Sequence, residues 1–125
     1  RSRGLGDVYK RQTEGNAEKV TLVEDGVFAA CDDAGAVYIP NGNFSDAYTT
    51  YRFAEDFTVD HVAVRGNIAA LTLGSKGIAL YDISDPTMPE EKGIFPIGYS
   101  YKSQFWGEKL LVCSREGLQI LTIEF

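Results

Sequence analysis

The 125-residue chain is predicted to be all-β, built from repeats of a four-stranded antiparallel unit. Three observations carry that prediction. Glycines recur at a nearly fixed step: Gly26, Gly66 and Gly107 lie 40 and 41 residues apart, and Gly35, Gly77 and Gly117 lie 42 and 40 apart. The runs between them are short and rich in Val, Ile, Leu, Phe and Tyr, the residues that fit a pleated, half-buried surface. No stretch holds the apolar period of a helix for three turns.

The elements follow from this skeleton. "KVTLVEDGVFAACDDAGAVYIP" from Lys19, "DHVAVRGNIAALTLGSKGIALYDIS" from Asp60 and "YKSQFWGEKLLVCSREGLQILTI" from Tyr101 each read as strand, turn glycine, strand, polar turn with a second glycine, strand. "NIAALTL" is apolar on both faces, as a strand sandwiched between two layers requires. "GLQILTIEF" alternates, with Leu118 and Ile120 on one side and Leu121 and Ile123 on the other. In the middle repeat a fourth run, "EKGIFPI", follows "SDPTMPE", whose Pro86 and Pro89 cannot donate to a ladder and so end strand three.

A four-stranded unit repeating at about forty residues is the signature of a propeller blade. The expected architecture is a partial β-propeller of about two and three-quarter blades, spanning about 16–56, 57–98 and 99–125, the last without its fourth strand. A propeller closes with at least about four blades. The chain is therefore expected to be the C-terminal piece of a longer protein, with the missing N-terminal blades as its first partner.

Residues 77–101, "GIALYDISDPTMPEEKGIFPIGYSY", resemble the LVIVD-repeat family of bacterial and archaeal β-propellers. Leu80, Tyr81, Asp82, Ile83, Ser84, Asp85 and Pro86, then Gly93, Ile94 and Phe95, fit the family pattern of an apolar strand, an Asp-x-Ser-Asp-Pro turn and a following Gly-hydrophobic run. Repeat one departs from it at "VYIPNGNFSD", and repeat three stops before the motif. The resemblance implies an exported, cell-surface or periplasmic propeller with a non-enzymatic binding or scaffold role, and it carries no family catalytic residues. The alternative is a fragment of a propeller hydrolase or lyase whose catalytic residues lie mainly in the missing blades.

Residues 2–12, "SRGLGDVYKRQ", have a different origin in this reading. They resemble the in-frame translation of a transposase-type sequencing-library adapter, so residues 1–12 are expected to be a non-native, disordered tail outside the fold. The tail carries Arg1, Arg3, Lys10 and Arg11 against Asp7, and without it the net charge moves from −6 to −9. An acidic surface repels phosphate backbones, so nucleic acid is excluded as an expected partner. No apolar run approaches the roughly 18 residues of a membrane span. Cys31 and Cys113 sit in apolar runs with no metal-ligand spacing, and both are expected to be buried thiols.

No catalytic motif, metal site or cofactor site is expected after residue 12. Asp82, Ser84 and Asp85 offer alternate oxygens, but without an Asp-x-Asp-x-Asp-Gly run they read as Asx and Ser turns rather than a calcium loop. "NFS" at Asn43 matches a glycosylation pattern that recurs by chance.

Propeller ligands sit where the strand-two-to-three turns and the blade-to-blade loops converge. Those segments are "DDAG", "GSKG", "SREG", "FAEDFTVDH" and "IGYSYKSQFWG". They place Asp32, Asp33, Asp60, His61, Lys76, Tyr99, Tyr101, Arg115 and Glu116 as candidate ligand-facing residues. Mixed charge beside aromatic rings suits a carbohydrate or a protein ligand. His61, the single histidine, has no second imidazole to make a metal site, and Asp60 beside it points to the opposite face of an extended strand. Tyr99, Tyr101, Phe105 and Trp106 fit a core between blades equally well.

Overall fold

The computed structural model describes residues 19–40 and 50–123, and every regular element among them is a strand. The stretch 2–12 and Asn43 lie outside the described residues. β1 (Lys19–Val23), β2 (Gly26–Ala30), β3 (Ala36–Pro40) and β4 (Tyr51–Phe53) form the first sheet. β5 (His61–Arg65), β6 (Ile68–Thr72), β7 (Ile78–Asp82) and β8 (Glu90–Phe95) form the second. β9 (Ser100–Trp106), β10 (Lys109–Ser114) and β11 (Gly117–Thr122) form the third. All pairings join neighbours in sequence and run antiparallel, so each sheet is a meander.

The second sheet lies between the other two, and its strands β6 and β7 are buried on both faces, whereas its outer strand β8 is exposed. Along β6, Ala69 and Leu71 turn toward the first sheet, while Ala70 turns toward the third. β7 divides likewise, with Ala79 and Tyr81 on one side and Ile78 and Leu80 on the other. Phe28, Tyr38 and Phe53 of the first sheet meet Tyr81 in a chain of tilted and edge-on rings, with centroids 5.0 to 5.9 Å apart. Burial there pushes the Tyr81 phenol up to about 12. On the other side Leu110, Val112 and Phe105 of the third sheet close the second core. Thr72 and Ser103 satisfy one another there at 3.3 Å, so neither hydroxyl is stranded in the apolar layer.

Two expectations are corrected by the packing. Cys31 is fully buried, but Cys113 is exposed. It pairs with Leu118 in the ladder, and with Leu118 and Ile120 it lies on the face of the third sheet turned away from the second. Trp106 points the same way and is 71 % exposed, so the core reading fails for it, whereas the half-buried Phe105 packs against the second core. The glycine alignment also shifts in repeat one: Glu24 and Asp25 make the turn, and Gly26 opens β2, where a Cβ would strike the Ile39 carbonyl of β3.

The second glycine of the repeat has a steric reason. Gly77 has φ of +88°, and a Cβ there would run into the Phe95 carbonyl at the end of β8. Gly35, at +84°, meets the Phe53 and Ala54 carbonyls after β4 in the same way. Gly77→Ala therefore combines left-handed strain with a backbone clash, and it is expected to destabilise by more than the roughly 1 kcal/mol of strain alone. Gly107→Ala, at φ +60° with open space around it, is expected to cost only that strain. Urea midpoints of the two variants check this; equal losses would remove the clash argument.

Candidate functional site

One end of the molecule gathers the β2–β3, β6–β7 and β10–β11 turns together with the two connections between sheets. Backbone bonds stitch each connection to a turn. Asp32 and Val59 exchange both N–H···O bonds, at 3.1 and 2.9 Å. The Ser100 N–H donates to Gly74 O at 3.0 Å, and the Arg115 N–H to Tyr99 O at 2.8 Å. Asp32 takes a left-handed φ of +53° to do so, a conformation that aspartate tolerates better than most residues.

A cleft of about 320 Å³ opens at this end, lined by Lys19, Asp32, Asp60, Tyr99, Tyr101 and Lys102. Each side chain is placed by its element: Lys19 starts β1, Lys102 lies near the start of β9, and Asp60 immediately precedes β5. Asp60 and Tyr99 flank Gly74, whose left-handed φ of +63° is what favours glycine there. The Tyr99 and Tyr101 rings are 5.2 Å apart and tilted by 45°. The Arg115 guanidinium lies over the Tyr99 ring, 4.7 Å from its centroid. The Tyr101 hydroxyl beside it raises the pKa of that guanidinium.

Four of the nine residues expected from sequence thus line one cleft: Asp32, Asp60, Tyr99 and Tyr101. Arg115 braces the tyrosines from behind. The others are held elsewhere in the loops. Asp33 accepts a 3.0 Å hydrogen bond from Thr58, the Lys76 ammonium lies 5.4 Å from the Phe57 ring centroid, and the Glu116 N–H donates to Ser114 Oγ. Lys19 and Lys102 are not among the nine: Lys19 falls in a strand run, and Lys102 stands inside "IGYSYKSQFWG" without being singled out there. The signal available was their place: the first strands of all repeats begin at the same end of the sheets, so the first residues of β1 and β9 border the same opening.

His61 belongs to a separate cleft of about 320 Å³ with Thr21, Ser103, Gln104 and Phe105, while Asp60 faces the tyrosines, as alternation along a strand demands. The His61 Nδ1 is buried with no hydrogen-bond partner among the described residues. Burial, then the Lys102 charge, lower the imidazole pKa; the Ser103 backbone opposes the shift and Lys19 adds to it.

Asp82 and Asp85 make turns. Asp82 Oδ1 accepts from the Ser84 N–H and hydroxyl at 2.8 and 2.6 Å, and Asp85 Oδ1 accepts from the Thr87 N–H and hydroxyl at 3.1 and 2.6 Å. The bonds from Ser84 hold the Asp82 carboxyl below its usual range. Ser84 also borders a cleft of about 390 Å³ at the opposite end, with Glu24, Asp25 and Asn67 at the rim and Phe28 and Tyr38 lining it below. That cleft was not anticipated; its acidic rim is the β1–β2 turn.

The His61 geometry sets a pH dependence. The folded pKa lies below the unfolded value near 6.5, so the unfolded chain takes up the proton first and acid favours unfolding. The stability that His61 contributes is complete above pH 6.5 and is lost as pH falls through the folded pKa. His61→Gln is expected to flatten the stability profile in that window, measured by urea unfolding at stepped pH. An unchanged slope would place the titration in another group.

No protein-family model matches the chain, and no curated protein sequence does. Among solved structures, the chain is similar to the computationally designed Ika4 protein, with a TM-score of 0.63 at 11 % identity over 84 % of this chain. The chain spans 64 % of that protein's length. The likeness concerns the fold: stacked antiparallel β-sheets without a helix among the described residues.

Proposed function

We propose that the chain is part of a β-propeller of the LVIVD-repeat type and serves as a carbohydrate-binding or scaffold module, exported to the cell surface or periplasm. The propeller reading is supported by three successive meanders stacked face to face and by the forty-residue glycine step. The location rests on the resemblance of residues 77–101 alone.

The observation that carries the binding role is the cleft of Lys19, Asp32, Asp60, Tyr99, Tyr101 and Lys102. Sugar hydroxyls need donors and acceptors at close range, which the ammonium and carboxylate groups supply. Sugar rings present apolar C–H faces, which the tyrosine pair can cover. The Arg115 guanidinium holds Tyr99 against rotation, lowering the entropy to be lost on binding.

The test is a glycan array followed by calorimetry on the strongest hit. Tyr99→Ala and Tyr101→Ala are each expected to weaken binding about tenfold, or about 1.4 kcal/mol, with the melting curve retained. Glu116→Gln, outside the cleft, is expected to bind normally. No glycan bound by the folded chain, or binding indifferent to both tyrosines, would refute the assignment.

A further inference from the structure

The charges of the tyrosine cleft narrow the class of sugar it takes, a step that rests on the carbohydrate-binding role proposed above. Lys19 and Lys102 reach the cleft from β1 and β9, the strands on either side of β5, so their ammonium groups border it from two directions. Among the described residues neither has a hydrogen-bond or ion-pair partner, although Asp32 and Asp60 line the same cleft. The other described lysines are engaged: Lys76 lies over the Phe57 ring, Lys92 pairs with Glu90, and Lys109 donates to Thr122. Burial is the main cause of the low His61 pKa, and the charges of Lys102 and Lys19 add to it, so both ammonium fields overlap at the residue next to Asp60. In a chain with 18 Asp and Glu against 12 Lys and Arg, two cations left without a partner at one opening stand apart from the acidic whole.

From this arrangement we infer that the cleft selects an acidic carbohydrate, whose ring carboxylate is held between Lys19 and Lys102. Two like charges at one opening repel, and an anion between them removes that repulsion and gains a charge-assisted hydrogen bond from each. A carboxylate offers one oxygen to either side. Asp32 and Asp60 have the complementary task, since ionised carboxylates only accept and sugar hydroxyls donate. Tyr99 and Tyr101 cover a C–H face of the ring, as they would for any sugar. A cleft of about 320 Å³ is the size of a small-ligand pocket rather than of a protein-docking face.

The probes are an array of neutral, uronate-containing and sulfated oligosaccharides, then calorimetry of the intact chain with the strongest uronate and with its methyl ester, which removes the charge and keeps the ring. The uronates are expected to rank first, and esterification to weaken binding about tenfold. Lys19→Gln and Lys102→Gln are each expected to weaken uronate binding about fivefold while leaving the affinity for the methyl ester unchanged, a split that a merely structural role would not produce. Lys109→Gln removes the same charge at the start of β10, beside the β9–β10 turn at the other end of the third sheet, and is expected to bind the uronate as the unaltered chain does. Neutral or sulfated sugars ranking first would overturn the inference and leave the carbohydrate role standing, whereas no bound glycan at all would remove that role and the inference with it. A methyl ester bound as tightly as the uronate, or lysine variants that weaken both forms alike, would also overturn it.

Discussion

Everything in this molecule depends on the second sheet being covered on both sides. A sheet with two apolar faces cannot stand in water, and a neighbour can approach it closely only where side chains are short. β6 and β7 meet that condition with Ala69, Ala70 and Ala79 between the larger Leu71, Ile78, Leu80 and Tyr81. Because both layers pack onto one sheet, the first strands β1, β5 and β9 are brought side by side, with Thr21 of β1 donating to the Val62 carbonyl of β5. The two clefts that involve these strands exist because that convergence leaves a gap at each crossing.

Strand order is readable because it rests on local rules, and so are strand ends where the glycine sits in the turn, as at Gly66 and Gly107 but not at Gly26. A two-residue turn and a glycine step decide where a meander folds back, and alternation decides which residues share a face. "NIAALTL" and "GLQILTI" divide between faces as their spacing demands. Cys113 departs from its expected burial for a different reason, and of the two readings open to Trp106 the core one fails for the same reason. Hydrophobic character says that a residue favours burial, but only the neighbouring layer decides whether burial is on offer, and the third sheet has a neighbour on one face among the described residues.

The candidate site shows the same division. Turn residues such as Asp32 and Tyr99 could be named because turns gather at the ends of sheets. Lys19 and Lys102 are harder to single out, because their shared role comes from strands about eighty residues apart in sequence that start at one end. The sorting of Asp60 from His61 into separate clefts was visible beforehand, since adjacent residues of an extended chain face opposite ways.

The unlike burial of the two cysteines has a practical consequence. Cys31 is sealed inside the first sheet, while Cys113 stands in the open among Leu118 and Ile120. A maleimide reagent therefore has one ready target in the folded chain and gains the second only when the chain opens. Anything that settles over the third sheet slows the first reaction, and anything that loosens the first sheet hastens the second. The protein thus carries a pair of chemical clocks, one timing cover and the other timing unfolding.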